Sequence, residues 1–195
     1  MTEVARFGSW SGPAGAAEVR PISVDDLSSV RYIHAASFRM LAGQHYPTAD
    51  IDAFAEHVYG HAYTDALSDV LRRQQLYGAW LDAELVGTAG WSSADDGEVA
   101  ARLRFIFVRP LFTGLGLGRR LLLEAEDLAR QAGFRTFNVS ATLNAAGFFT
   151  RLGYQMMGCG ARPLSPTRAL PVAYMRKMDS DAAARKEEAG LPAGL

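Results

Sequence analysis

The stretch from Arg104 to Gly133 constrains this chain more than any other. Phe105, Ile106, Phe107 and Val108 make a short apolar run closed by Pro110, the pattern of a strand buried on both faces. Gly114, Gly116 and Gly118 then alternate through a turn almost without side chains. Leu117, Leu121, Leu122, Ala125, Leu128 and Ala129 recur at helical spacing until Gly133 stops them. A strand that runs through glycines into a helix start leaves main-chain N–H groups aimed at open space at the positive end of the helix dipole, and phosphate is the natural occupant of such a site. Spacing excludes two common phosphate-binding patterns. A Walker A loop needs Gly-Lys-Ser/Thr, and the chain has no Gly-Lys pair. A dinucleotide fingerprint needs a third glycine where Arg119 or Leu121 stands.

Around this stretch the chain reads as one domain over 17–178, with a loose leader over 1–16 and a frayed tail over 179–195. A strand at Glu18 to Ile22 leads to Ser23, a helix N-cap with Asp26 in the capping-box place, and a helix from Val24 to about Leu41. Its apolar stripe, Leu27, Val30, Phe38 and Leu41, includes His34, which reads as a core histidine with its polar atoms satisfied. After a break at 42–48 come a helix carrying Ile51, Phe54 and Val58, a third helix from Ala62 to Arg73, and a hairpin of Gln75 to Leu81 and Leu85 to Trp91. Beyond Gly133, Arg135 to Ser140 alternates as a strand, so strand, helix and strand form a right-handed crossover with parallel strands. Asn144 caps a short helix to Leu152, and a loop carrying Pro163, Pro166 and Pro171 separates closing strands at Tyr154 to Cys159 and Val172 to Met178.

A formal net charge of -1 gives nucleic acid no electrostatic footprint. The single Cys159 excludes a disulfide framework or a thiolate metal cluster, and no metal is expected. No uncharged apolar run approaches the roughly 18 residues of a membrane span, and no signal design opens the chain. A cytoplasmic protein without a membrane role is the expectation.

Thr113-Gly114-Leu115-Gly116-Leu117-Gly118, preceded by Phe107-Val108-Arg109-Pro110, resembles the acyl-CoA motif of the GNAT superfamily of N-acetyltransferases. Asn144 followed by Leu152-Gly153-Tyr154 resembles the family's second signature. The resemblance implies an α/β (α+β) fold with a mixed, mostly antiparallel sheet flanked by helices, splayed between the strand ending at Val108 and the strand near Val139. It implies acetyl-CoA as acyl donor and direct transfer to an amine acceptor, a small molecule or a peptide, in a ternary complex. Self-association as a homodimer is compatible with it. The main chain of Ile106, Phe107 and Val108 would pair with the pantetheine arm, Asn144 would hydrogen-bond it, and the amides from Gly114 to Arg119 would cradle the pyrophosphate, where a Cβ would stand in the way.

Three positions depart from the family. Thr113 stands where Arg or Gln is usual, Arg102 where many members carry a glutamate base, and Phe149 where many carry a tyrosine that protonates the departing thiolate. A non-catalytic acyl-CoA-binding module of the same fold is therefore the alternative. Candidates for proton transfer are His45 and Tyr46 in the loop after the first long helix, Glu98 with Asp95 and Asp96 before the central strand, and Tyr154, each against a solvated or packing role. Cys159 reads as a small buried hydrophobe, Trp80, Trp91, Phe105 and Phe107 as core residues with Trp91 the one among them best placed to reach the cleft, Glu126 and Arg130 as an exposed i, i+4 pair, and Arg109, Arg119 and Arg120 either as contacts to the 3'-phosphate of CoA or as surface charge.

Overall fold

The structure is a computed structural model that describes residues 13–94 and 99–179. In chain order it contains α1 (Pro13–Ala16), β1 (Glu18–Pro21), a 3-10 turn (Val24–Asp26), α2 (Leu27–Leu41), α3 (Thr48–Tyr59), α4 (His61–Arg72), β2 (Leu76–Leu81), β3 (Glu84–Ser93) and β4 (Ala101–Val108). A second 3-10 turn (Pro110–Phe112), α5 (Leu117–Gln131), β5 (Thr136–Thr142), α6 (Leu143–Arg151), β6 (Gln155–Ser165) and β7 (Arg168–Met178) follow. The seven strands form one sheet in the order β1-β2-β3-β4-β5-β7-β6. Among the described residues only the β4–β5 pair is parallel, as a crossover through α5 requires.

Two apolar clusters cover the sheet. One joins α5 and α6 to Leu103, Phe137 and Val139, and the other joins α2, α3 and α4 to the sheet through Ile33, Phe38, Phe54 and Leu67. Phe54 and Leu67 are fully buried, so truncating either to Ala removes on the order of 2–5 kcal/mol. The start of α2 is fixed locally, where the Asp26 carboxylate accepts from the Ser23 main-chain N–H at 3.0 Å and from its hydroxyl at 2.8 Å.

The sheet opens in the middle, and a bulge is the cause. β4 pairs with β5 only at Ala101↔Phe137, Arg102↔Asn138 and Leu103↔Val139. On its other edge Gly90 faces Arg104 and Thr88 faces Phe107, two steps along β3 against three along β4. The extra residue is accommodated at Phe105, whose φ of 57° is left-handed. β5 meanwhile stays on β7 from Thr136↔Met178 to Thr142↔Val172, so β4 bends away from it. The run from Phe105 to Val108 is consequently half-buried rather than buried on both faces.

Other expectations need correction. The proline-rich segment is no loop, because β6 and β7 continue through Pro163 and Pro171 as an eleven-residue hairpin pair. Pro163 lies on the edge strand at a register shift. The Pro171 carbonyl accepts from the Tyr46 hydroxyl at 2.7 Å, so that residue's main-chain polar groups face away from β6 and its missing N–H removes no ladder bond. Thr142, not Asn144, occupies the N-cap of α6. Glu126 is not exposed but fully buried, because Leu122, Ala125, Glu126 and Ala129 share the inward stripe of α5. Its carboxylate accepts from Tyr154 Oη at 2.8 Å, from Lys177 Nζ at 2.7 Å and from Arg130 Nη2 at 3.1 Å. Cys159 is exposed on β6. Among the described residues, no helix is long and apolar enough to cross a membrane.

Candidate functional site

Where β4 leaves β5 there is a cleft of about 660 Å³. β4 from Arg102 to Phe107 and β5 from Asn138 to Thr142 form its walls, and α4, α6 and β6 contribute at its ends. A second hollow of about 580 Å³, between the end of β1 and α4, is mainly apolar, and among the described residues Arg72 is the only charged one that lines it. The chemistry lies in the cleft.

The glycine turn stands on the α5 side. Gly114 and Gly116 adopt φ of 80° and 85°, and Gly116 is the N-cap of α5, so both positions use a conformation that other residues enter only at a cost. No atom lies within 4 Å of where a Gly114 Cβ would be. The Arg120 N–H donates to the Gly116 carbonyl at 3.1 Å as the first bond of the helix, which leaves the N–H groups from Gly114 through Gly118 outside the ladder. At the start of α6, Asn144 Oδ1 is buried without a hydrogen-bond partner. A buried orphan amide oxygen is costly, and an N–H donor arriving from a ligand would satisfy it. Both features fit an extended ligand with an anionic head and an amide-bearing arm.

The other face of the cleft is cationic. Leu103 points into the α5 cluster and Phe107 into the α2–α4 cluster, so alternation with one bulge residue puts Arg102, Arg104, Phe105 and Phe107 on the α2–α4 face. Alternation on β5 and β7 adds Asn138, Ser140, Tyr174 and Arg176, since Val139 and Met175 belong to the α5 cluster. Arg162 from β6, with Tyr63 from α4 and His57 from α3, completes this side. His57 Nδ1 lies 2.9 Å from the Leu164 carbonyl, which can only accept, so Nδ1 carries the proton and Nε2 keeps its lone pair. Burial draws the His57 pKa below its ordinary value, with Arg162 adding to the shift and the Leu164 bond opposing it, so the ring is neutral near pH 7.

Beneath the bulge runs a buried hydrogen-bond chain. Thr88 Oγ1 donates to the Phe105 carbonyl at 2.6 Å, so it accepts from His34 Nε2 at 2.8 Å, and His34 Nδ1 accepts from the Tyr63 hydroxyl at 2.9 Å. His34 has no exposed surface, stacks on Phe107 with centroids 4.3 Å apart, and has its pKa pulled down to about 3 by burial. A ring that resists protonation this strongly is no base at neutral pH. It pins the left-handed Phe105 and so holds the sheet open.

The candidates named from the sequence are scattered. His45 is exposed in the α2–α3 turn. Tyr46 is buried, and its hydroxyl is committed as a brace, donating to Pro171 and accepting from the Leu143 N–H at 2.7 Å. Tyr154 lies in the α5 cluster on Glu126, away from the cleft lining, and burial raises its pKa. Asp95, Asp96 and Glu98 fall outside the described residues, as do 1–12 and 180–195. Arg102 and Phe149 line the cleft, Trp91 does not, and Arg109 pairs with Glu84. His57 and Arg162 were missed, because a histidine and an arginine 105 positions apart carry no spacing signal. Thr88 did carry one, as a lone hydroxyl inside the apolar run from Leu85 to Trp91.

Fold and cleft define the class: a mixed α/β protein whose sheet parts between its two parallel strands, beside a glycine-turn helix start. The profile of the Acetyltransferase (GNAT) family matches residues 33–154, and the chain belongs to that family. Its fold is similar to a GCN5-related N-acetyltransferase from Rhodopseudomonas palustris at TM-score 0.72 and 25% identity, covering 84% of this chain and 96% of that one. It is also similar to the PaiA N-acetyltransferase from Thermoplasma acidophilum, solved with coenzyme A, at TM-score 0.65 and 20% identity over 83% and 98% of the two chains. A third similar structure is YncA from Salmonella typhimurium, solved with acetyl-CoA, at TM-score 0.57 and 19% identity over 83% and 93%. No curated relative matches the sequence significantly.

Proposed function

We propose that this protein transfers the acetyl group of acetyl-CoA to an amine in a ternary complex. The observation that carries the reading is the parting of β4 from β5 after Leu103 and Val139, which opens main chain of Ile106, Phe107 and Val108 to an amide-bearing arm. Thr113, Gly114, Leu115, Gly116, Leu117, Gly118 and Arg119 would surround the pyrophosphate, and the orphan Asn144 Oδ1 would accept from the arm. The amine arrives from the cationic face. An alkyl amine with an ordinary pKa near 10 is mostly protonated at pH 7 and must lose a proton before it attacks. His57 Nε2, neutral and on that face, is the acceptor we assign in place of His45, Tyr46, Glu98 or Tyr154. The new C–N bond replaces the C–S bond, the sulfur leaves as a thiolate, and the nitrogen, positively charged after its attack, gives its second proton to solvent. With Phe149 in the usual tyrosine's place, the thiolate takes its proton from solvent; holding the reactants together supplies on the order of several kcal/mol without an acid.

Thermal shift with acetyl-CoA, CoA, ATP and NAD, followed by thiol release over an amine panel, tests this. Stabilisation by acetyl-CoA and CoA with turnover is the expected result. Stabilisation by ATP or NAD alone refutes the donor. Stabilisation by acetyl-CoA with silence across the panel favours the non-catalytic acyl-CoA module, the reading motivated by Arg102 and Phe149.

A further inference from the structure

Building on the acetyl-transfer reading above, we propose that the cleft selects an amine that also carries an anionic group, which Arg162 receives. The acceptor face brings together Arg102, Arg104, Arg162, Arg176 and His57, and among the described residues lining the cleft none is acidic. Arg102, Arg104 and Arg176 have interactions of their own within the protein, Arg176 Nε donating to Asn138 Oδ1 at 2.9 Å. They set the sign of the local potential. Arg162 supplies the contact. Its Nε is buried and has no hydrogen-bond partner, and no carboxylate among the described residues lies within ion-pairing distance of its guanidinium.

A half-buried guanidinium with no acceptor and no counter-ion is a charge left unanswered until an anion arrives. Arg162 is held in place rather than waving in solvent. It is half-buried on β6 opposite Leu170, and its Cζ lies 5.8 Å from the Phe54 ring centroid. Its charge acts on His57, Tyr63 and Tyr46, which places it among the side chains of the acceptor side. Arg162 lines the cleft, and the two terminal nitrogens of its guanidinium, rather than the enclosed Nε, form the fork that matches two oxygens of a carboxylate or phosphonate in a bidentate pair. With the anion on Arg162 and the amine beside His57 Nε2, both ends of the acceptor fit one cleft of about 660 Å³. That volume is of small-ligand size and must also admit the thioester, so the acceptor is a small amino acid-like molecule.

Matched pairs of acceptors provide the test. Thiol release is measured with α-amino acids, β-alanine and 4-aminobutyrate against their primary amides, with aminoalkylphosphonates as a second acidic arm. Expected is kcat/KM at least about tenfold higher for an acid than for its amide. Arg162→Gln should raise KM for the acid about ten- to hundredfold and leave KM for acetyl-CoA and for the amide unchanged. Arg162→Lys, which keeps the charge but not the fork, should fall between. A preference for phosphonates over carboxylates upholds the anion site and assigns its ligand to the phosphate type. Amides equal to or better than acids, no turnover on either acidic arm, or equal losses on acid and amide in Arg162→Gln overturn the proposal. If acetyl-CoA stabilises the protein and neutral amines are acetylated, only the acceptor inference fails. If acetyl-CoA does not bind, the acetyl-transfer reading fails with it.

Discussion

Lowering the pH from 7.5 to 5.0 should destabilise this protein through His34 by an amount the structure sets. Unfolded, the imidazole titrates near 6.5; folded, burial holds it at about 3. Between those values the unfolded chain binds a proton that the folded chain refuses, so stability falls as pH drops below 6.5, levels off below about 3, and is unaffected above 6.5. Each unit inside the window costs about 1.4 kcal/mol, so the drop to pH 5.0 removes about 2 kcal/mol. Urea denaturation of the wild type and of His34→Gln at both pH values isolates this contribution. Gln keeps a donor for Thr88 and an acceptor for Tyr63 but cannot titrate. The shift of His57 has the same sign, while Glu124 and Asp127, raised by burial, act the other way, and all three cancel in the comparison of the two proteins. With a urea m-value of about 2 kcal/mol/M, the wild-type midpoint should fall by about 1 M more than that of the variant. Equal falls would mean that His34 is not shut in neutral between Tyr63 and Thr88, and the account of the pinned bulge would be wrong.

His57→Ala should lower kcat/KM about 10²- to 10⁴-fold with KM for acetyl-CoA unchanged, and should abolish an acid limb lying below pH 6.5 in the wild-type pH–rate profile; a variant that retains the limb removes His57 from proton transfer. Gly116→Val should abolish acetyl-CoA binding in calorimetry at a folding cost of about 1–2 kcal/mol, because φ at this position is 85°. Unchanged affinity would take the turn out of the site. Glu126→Ala should cost about 3–5 kcal/mol in chemical denaturation, since it strands Lys177 Nζ and the Tyr154 hydroxyl at a fully buried position while Arg130 keeps Asp127 and Asp179, and Lys177→Met in the same background should recover part of it. A loss under 1 kcal/mol would show that the cluster is solvated.

What the sequence made legible was local. The crossover from β4 through α5 to β5 follows from apolar runs, glycines and a helical repeat that lie side by side in the chain, and the β2–β3 hairpin from a short polar turn, whereas the place of β7 between β5 and β6 follows from neither. The opening of the sheet depends instead on one residue at Phe105 entering the left-handed region, held there by Thr88, His34 and Tyr63, three residues spread over 55 positions. No periodicity reports such a chain. Glu126 shows the converse: its place on the buried stripe of α5 was readable, but an i, i+4 partner at Arg130 imitated an ordinary surface pair, and the decisive Lys177 came from the far end of the chain. Prolines at 163 and 171 imitated a loop because edge-strand position and carbonyl direction are tertiary facts.

The two assignments on the acceptor face bear on each other. Burial holds the His57 pKa down and keeps Nε2 unprotonated while the cleft is empty, and Arg162 adds a smaller push in the same direction. An anion seated on Arg162 would neutralise that influence and raise the imidazole's proton affinity toward its ordinary value, at the moment an ammonium is brought beside it. Acceptor binding would then strengthen the base that the reaction needs, and an acceptor without the anion would meet a weaker one. The acid limb of kcat, which reports the loaded enzyme, should therefore lie at higher pH for an acidic acceptor than for its amide, whereas the limb of kcat/KM, which reports the free enzyme, should be common to both. Identical kcat limbs for the two acceptors would uncouple Arg162 from His57, even if both residues proved necessary.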